Sequence, residues 1–334
     1  MTRRERVKAA INRTSPDKTP VFIHLTDEAR AKYGEQLYKR YASEEILHLR
    51  AEGKLSERNS LYYSMGSHVC ILDNYWDCPW WWFTDVPADF HGFDVPESLP
   101  KAKFDDYFDR FEEYIENIKK YTDAYLLVEI WTSDFEKAYY ERGFQNFLMD
   151  IVGEPEFAQE FLDYISENNL KMLEKIVKYP GIDGILFGDD FGSQRDLLMS
   201  PDTWREMFKP AKKKEFDLIH SAGIDVWLHS CGNIRSIIPD LIEIGVDVLN
   251  PIQPECMDIY ELKDTFGDKL TFWGGISTQQ TLPYGTVEDV EKETRKVTEY
   301  FSRNGGYIIS GSHTIQADVP FENICKIVDT ANEL

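Results

Sequence analysis

Six short runs of continuous apolar residues, each closed by polar residues or glycine and followed by a helical pattern, constrain this chain most. They are "AYLLVEI" (124–130), "GILFGDD" (184–190), "IDVWLHSC" (224–231), "VDVLNP" (246–251), "LTFWGGI" (270–276) and "GYIISGSH" (306–313). Unbroken apolar runs of this length are strands buried on both faces, which belong in a parallel sheet covered by helices. Between them lie amphipathic stretches such as "PEFAQEFLDYISENNLKMLEKIVKY" and "VEDVEKETRKVTEYFSRNGG", with Pro near a start or Gly past an end. Adding "PVFIHL" (20–25) and "HVCILDN" (68–74) brings the strand count to eight. The predicted fold is therefore α/β, a (β/α)8 TIM barrel in a single domain over residues 1–334. An N-terminal helix over Thr2 to Ile11 precedes it. The stretch from about 35 to 120 fits the alternation poorly and reads as an insertion, aromatic-rich in "NYWDCPWWWFTDVPADFHGF" with Trp76, Trp80, Trp81 and Trp82. Those tryptophans read either as walls for a flat ligand or as packing and contact residues.

Charge narrows the partners. The 334 residues carry 59 Asp and Glu against 37 Lys and Arg, a formal charge of −22, which opposes binding to nucleic acid or an anionic membrane. No run reaches the roughly 18 apolar residues of a membrane span, and the N-terminus lacks the apolar core of a signal peptide. A cytoplasmic protein is expected. The five cysteines, at 70, 78, 231, 256 and 325, form no CxxC pair and are too sparse for a disulfide scaffold. A homodimer is compatible with such a barrel, but no self-complementary surface is legible.

In an α/β barrel, reactive groups sit where strands end. Here the exits carry Glu129, Asp189 and Asp190, His229 and Cys231, Asn250, and His313. A carboxylate after a strand also caps the next helix, and Asp190 fits that reading equally well. His229 and Cys231 lie one residue apart where strand becomes loop, so both can face one ion. Zinc accepts such mixed nitrogen and sulfur ligands, and His313 is the candidate third ligand. The alternative is a small buried thiol beside a packing histidine, and a lone His-x-Cys pair leaves both open.

The segments "HSCGN", "GVDVLNPIQPE", "LTFWGGISTQQTLPYGT" and "GGYIISGSHTIQADVPFENI" resemble the uroporphyrinogen decarboxylase superfamily. The closer resemblance is to its cobalamin-dependent branch, which includes methylcobamide:coenzyme M methyltransferases and relatives that demethylate methoxylated compounds. In the coenzyme M branch a His-x-Cys pair and a later Cys hold zinc. His229 and Cys231 match the pair, and His313 stands at the later Cys position, seven residues before Pro320. An imidazole in place of a thiolate implies a harder Lewis acid, suited to an oxygen substrate.

The resemblance implies methyl transfer between a small methylated substrate, such as a methoxylated aromatic, and a corrinoid supplied by a partner protein. Glu129 or Asp189 would supply a proton or a fourth zinc ligand, and Asn250 would orient substrate or ligand. The alternatives are transfer to a thiol or tetrahydrofolate, porphyrinogen decarboxylation, and a barrel without chemistry. Decarboxylation is disfavoured: where that activity uses an arginine-rich segment after the first strand, this chain has Thr26, Asp27 and Glu28, with only Arg30 nearby.

Overall fold

In the computed structural model, residues 1–72 and 111–334 are described, and the aromatic stretch with Trp76, Trp80, Trp81 and Trp82 lies outside them. Seven strands are found there: β1 (Val69–Ile71), β2 (Tyr125–Ile130), β3 (Gly184–Gly188), β4 (Asp225–His229), β5 (Val248–Asn250), β6 (Thr271–Ile276) and β7 (Tyr307–Gly311). They form a seven-stranded sheet in chain order, and the pairs β1–β2, β3–β4, β5–β6 and β6–β7 are parallel. Unidirectional chain order is the barrel pattern, unlike the reversing order of a doubly wound sheet. Among the described residues, no helix is long and apolar enough to cross a membrane.

By internal packing the chain divides into two compact units: Met1–Ile71 with Glu116–Leu127 and Asp247–Leu334, and Leu72–Ile115 with Val128–Val246. In the first, the helix Arg3–Ile11 begins in a capping box, Thr2 Oγ1 accepting from Glu5 N–H while Glu5 accepts from Thr2 N–H. Residues 35–64, expected in an insertion, belong to or connect three regular helices, Asp27–Tyr41, Glu44–Ala51 and Glu57–Ser64. Each is started by a hydroxyl cap, from Thr26, Ser43 and Ser56.

The expected eighth strand, "PVFIHL", is not a regular strand; it makes only isolated bridges, Val21 with Ile309 and Leu25 with Ile315. Side chains take the backbone groups that a ladder would use. Val21 N–H donates to His68 Nδ1 at 3.1 Å, and burial keeps that imidazole neutral by pushing its pKa down to about 3. Leu25 N–H donates to the Tyr62 hydroxyl at 3.0 Å, and that hydroxyl donates to Leu25 C=O at 2.9 Å. His68 N–H donates in turn to Val21 C=O, so the segment still lies between β7 and the start of β1.

In the second unit, β3 and β4 are held in the register Gly188 opposite His229. Ile185, Leu186, Phe187, Val226, Trp227 and Leu228 are fully buried on both faces. Each such side chain contributes roughly 1.5–3 kcal/mol. The helices Pro155–Ile176 and Lys209–Ser221 pack together beside them.

Candidate metal centre

The loops leaving β3 and β4 are joined residue by residue. Asp189 N–H donates to His229 C=O at 3.0 Å, Phe191 N–H to Ser230 Oγ at 3.0 Å, and Asn233 N–H to Ser193 C=O at 2.7 Å. Cys231 N–H donates to Asp190 Oδ1 at 2.8 Å. The two backbones meet at Gly192 and Gly232, where a Cβ on either residue would fall 2.5 Å from a backbone atom of the opposite loop. Only glycine allows this approach, and Gly232 also has φ of 82°.

This frame sets Cys231 Sγ 3.3 Å from His229 Nε2, and Asp190 Oδ1 3.7 Å from the same nitrogen. His229 is buried and Cys231 half-buried. Zinc bonds of about 2.3 Å to sulfur and 2.0–2.1 Å to nitrogen, at a tetrahedral angle, separate the two donors by about 3.6 Å. The pair therefore fits one ion. His229 and Cys231 each offer one ligand atom to such an ion, while His313, the expected third ligand, belongs to the other of the two units. Trp131 covers the histidine edge-on, ring centroids 5.0 Å apart, and its indole N–H donates to Glu129 Oε2 at 3.3 Å. Gly188 makes room for that indole; a Cβ there would fall 2.2 Å from Trp131 Cε3.

Asp189 is fully buried and its oxygens face another way. They accept from the N–H groups of Asp134, Phe135 and Glu136 at the start of the helix Phe135–Arg142, and lie 3.0 Å from Lys212 Nζ. Lys212, also fully buried, donates to Asp134 Oδ2 at 2.7 Å and Ser133 Oγ at 2.9 Å. Burial opposes its charge, but Asp134, Asp189 and Glu215 outweigh that and hold its pKa above the ordinary lysine value. Burial pushes the carboxyl of Glu215 well up. Nearby, burial and then the charges of Asp189 and Asp190 push the Glu136 carboxyl up to about 8, while Tyr139 OH donates to it at 2.9 Å.

Asn250 is buried at the end of β5 and donates through Nδ2 to Trp273 C=O at 2.8 Å. His313 follows β7 by two residues, after the buried Ser312, whose N–H donates to Ile276 C=O at 2.6 Å. Cys256 is half-buried, and burial together with Glu255 pushes its thiol pKa up, away from a reactive thiolate. Asp190 is the neighbour of the His-Cys pair that the capping alternative obscured. Its signal is the Asp-Asp doublet at a strand exit.

The comparisons with known proteins agree with this frame. The family model for uroporphyrinogen decarboxylase (URO-D) matches residues 87–334. The chain is 25% identical over 189 residues to the methylcobamide:CoM methyltransferase MtaA of Methanosarcina barkeri, covering 57% of this chain and 52% of that protein. It is 24% identical over 220 residues to a methylated-thiol–coenzyme M methyltransferase of Methanosarcina mazei, covering 66% of this chain and 56% of that protein. The matches thus span about half the length of these curated relatives. A solved methyltransferase from Methanosarcina mazei superposes with a TM-score of 0.74 at 19% identity, over 100% of this chain and 99% of that one. With a family match over most of its length and a shared fold, the chain belongs to the uroporphyrinogen decarboxylase (URO-D) family.

Proposed function

We propose that this protein is a corrinoid-dependent methyltransferase in which His229, Cys231 and His313 hold one zinc ion. The observation that carries the reading is the His229–Cys231 pair, 3.3 Å apart at the exit of β4. The methyl group would pass between a small methylated substrate, such as a methoxylated aromatic, and a corrinoid carried by a partner protein. Bound zinc would supply a Lewis acid at the atom the methyl group leaves or joins.

The chain's own residues do the rest. His229 presents Nε2 and Cys231 its sulfur, both fixed by the joined loops. Asp190 takes the Cys231 N–H and adds negative charge beside the pair, favouring a cation there. Trp131 shields His229 from water, and Glu129, aligned by the indole N–H, is the proposed proton carrier. Asp189 and Asn250 act as positioning residues, because the one anchors a helix start and the other a strand carbonyl.

A second reading, methyl transfer to a thiol, is favoured by the relatives named for coenzyme M. The third ligand separates the two. A His313 imidazole makes a less electron-rich site than a second thiolate, which favours an oxygen substrate.

The deciding experiment is metal content of the protein and of its His229→Ala, Cys231→Ser and His313→Ala variants, followed by assays with a reduced corrinoid protein. About one zinc per chain, lost in all three variants, and demethylation of a methoxylated substrate support the proposal. A metal-free, folded protein would overturn the zinc assignment, and methylation of thiols alone would select the second reading.

A further inference from the structure

A second group of polar residues lies at the other end of β7 from His313, on the ends of three helices and in the loops that precede β6 and β7. Lys263 occupies the apolar face of the helix Ile259–Phe266, between the buried Leu262 and Phe266, and is itself only 9% exposed. Its ammonium donates to Gly305 C=O at 2.8 Å. Among the described residues no carboxylate pairs with it, and burial alone pushes its pKa down to about 8. A buried cation without a counter-charge is unfavourable unless something supplies the charge.

The surroundings offer a place for that charge. Lys263 lines a pocket of about 480 Å³ together with Arg13, Arg303, Tyr300, Asp264 and Asp268. Arg13 donates to the carbonyls of Ile11 and Lys269 through Nη1, so its protein bonds occupy one corner of the guanidinium fork. The Arg303 guanidinium lies 4.5 Å from the Tyr300 ring centroid. The two acids do not neutralise Lys263: Asp264 accepts from Tyr300 OH at 2.7 Å, and Asp268 is exposed. In a chain of net charge −22, three cations around one pocket are a local reversal of sign.

We propose that this pocket binds a small phosphorylated ligand, its phosphoryl oxygens taken by Lys263, Arg13 and Arg303. A tetrahedral dianion uses several donors arriving from different directions, which suits an ammonium with two guanidinium groups better than a planar carboxylate does. The volume beyond the phosphoryl group leaves room for an organic moiety beside Tyr300. The site is independent of the methyltransferase reading, since none of its residues belongs to the candidate metal centre.

The test is calorimetric titration of the full-length protein with inorganic phosphate, repeated with sulfate and with acetate. Saturable phosphate binding, competed by sulfate and not by acetate, is expected. Affinity should fall by about tenfold or more in both Lys263→Met and Arg303→Ala. Arg303 is exposed, so its variant tests the site without disturbing the core. Thermal melts provide a second readout: phosphate raises the melting temperature of the unaltered protein and leaves that of Lys263→Met unmoved. Absence of phosphate binding at millimolar concentration, or variants that bind phosphate as tightly as the unaltered protein, would overturn the proposal. Preference for acetate would do the same.

Discussion

Asp190 Oδ1 accepts the Cys231 N–H at 2.8 Å and lies 3.7 Å from His229 Nε2, so one oxygen of the β3 exit governs both donors of the β4 exit. Asp190→Ala removes the acceptor and the charge, whereas Asp190→Asn keeps an acceptor and removes only the charge. Zinc affinity, measured by chelator competition, should fall by roughly 10–100-fold in the alanine variant and by less in the asparagine one. Unchanged affinity in both would show that the carboxylate only shapes the loop.

Lys212 bridges Asp134 and Asp189 where neither has access to water. Lys212→Met leaves two buried carboxylates without their cation, a loss of roughly 3–5 kcal/mol. Adding Asp134→Asn to that variant should restore part of the stability, since one of the stranded charges is then gone. Urea unfolding of the three proteins measures this. If the single variant unfolds at the same urea concentration as the unaltered protein, the network is not a source of stability.

Glu136 makes stability depend on pH in a definite direction. Its folded pKa, about 8, lies above the ordinary 4.5, so between these values the folded chain holds a proton that the unfolded chain has released. Its contribution is fully present below pH 4.5 and is lost as pH rises through 8, with a slope of about 1.4 kcal/mol per pH unit in between. Glu136→Gln should flatten that part of the profile, measured as unfolding free energy from pH 5 to 9. A variant with the original slope would assign the dependence to other groups.

Apolar runs closed by polar residues made β2 to β7 legible, because strands covered on both faces need unbroken apolar sequence. The same pattern made "PVFIHL" look like a strand. Periodicity cannot reveal that His68 and Tyr62 take the backbone groups of Val21 and Leu25. The position of the His229–Cys231 pair at a strand exit was legible, although the spacing left its role open; Trp131 beside His229, and Glu136 near Asp190, lie on another strand exit and the helix after it, reachable only through the fold. Lys212 was hidden in "PAKKKEF", which reads as a solvated lysine run. Its signal is helical spacing: Phe208, Lys212, Glu215, Phe216 and Ile219 fall on one face, so Lys212 and Glu215 occupy positions of an apolar stripe.

The Tyr62 hydroxyl gives the sharpest test of the irregular segment. It accepts from Leu25 N–H at 3.0 Å and donates to Leu25 C=O at 2.9 Å, and both residues are at most 3% exposed. In Tyr62→Phe both backbone groups lose this partner in a place water does not reach, at a cost of roughly 1–3 kcal/mol for each. Leu25 is also bridged to Ile315, two residues beyond His313, so the loosening falls on the chain that carries the proposed third ligand. Three changes should appear together: a lower unfolding free energy, faster hydrogen exchange at Leu25, and weaker zinc binding that leaves His229 and Cys231 intact. Lower stability with unaltered zinc affinity would confine the effect of Tyr62 to the fold. Unaltered stability would mean that the Leu25 backbone has found other partners, and that the bridges to Ile309 and Ile315 suffice to hold the segment.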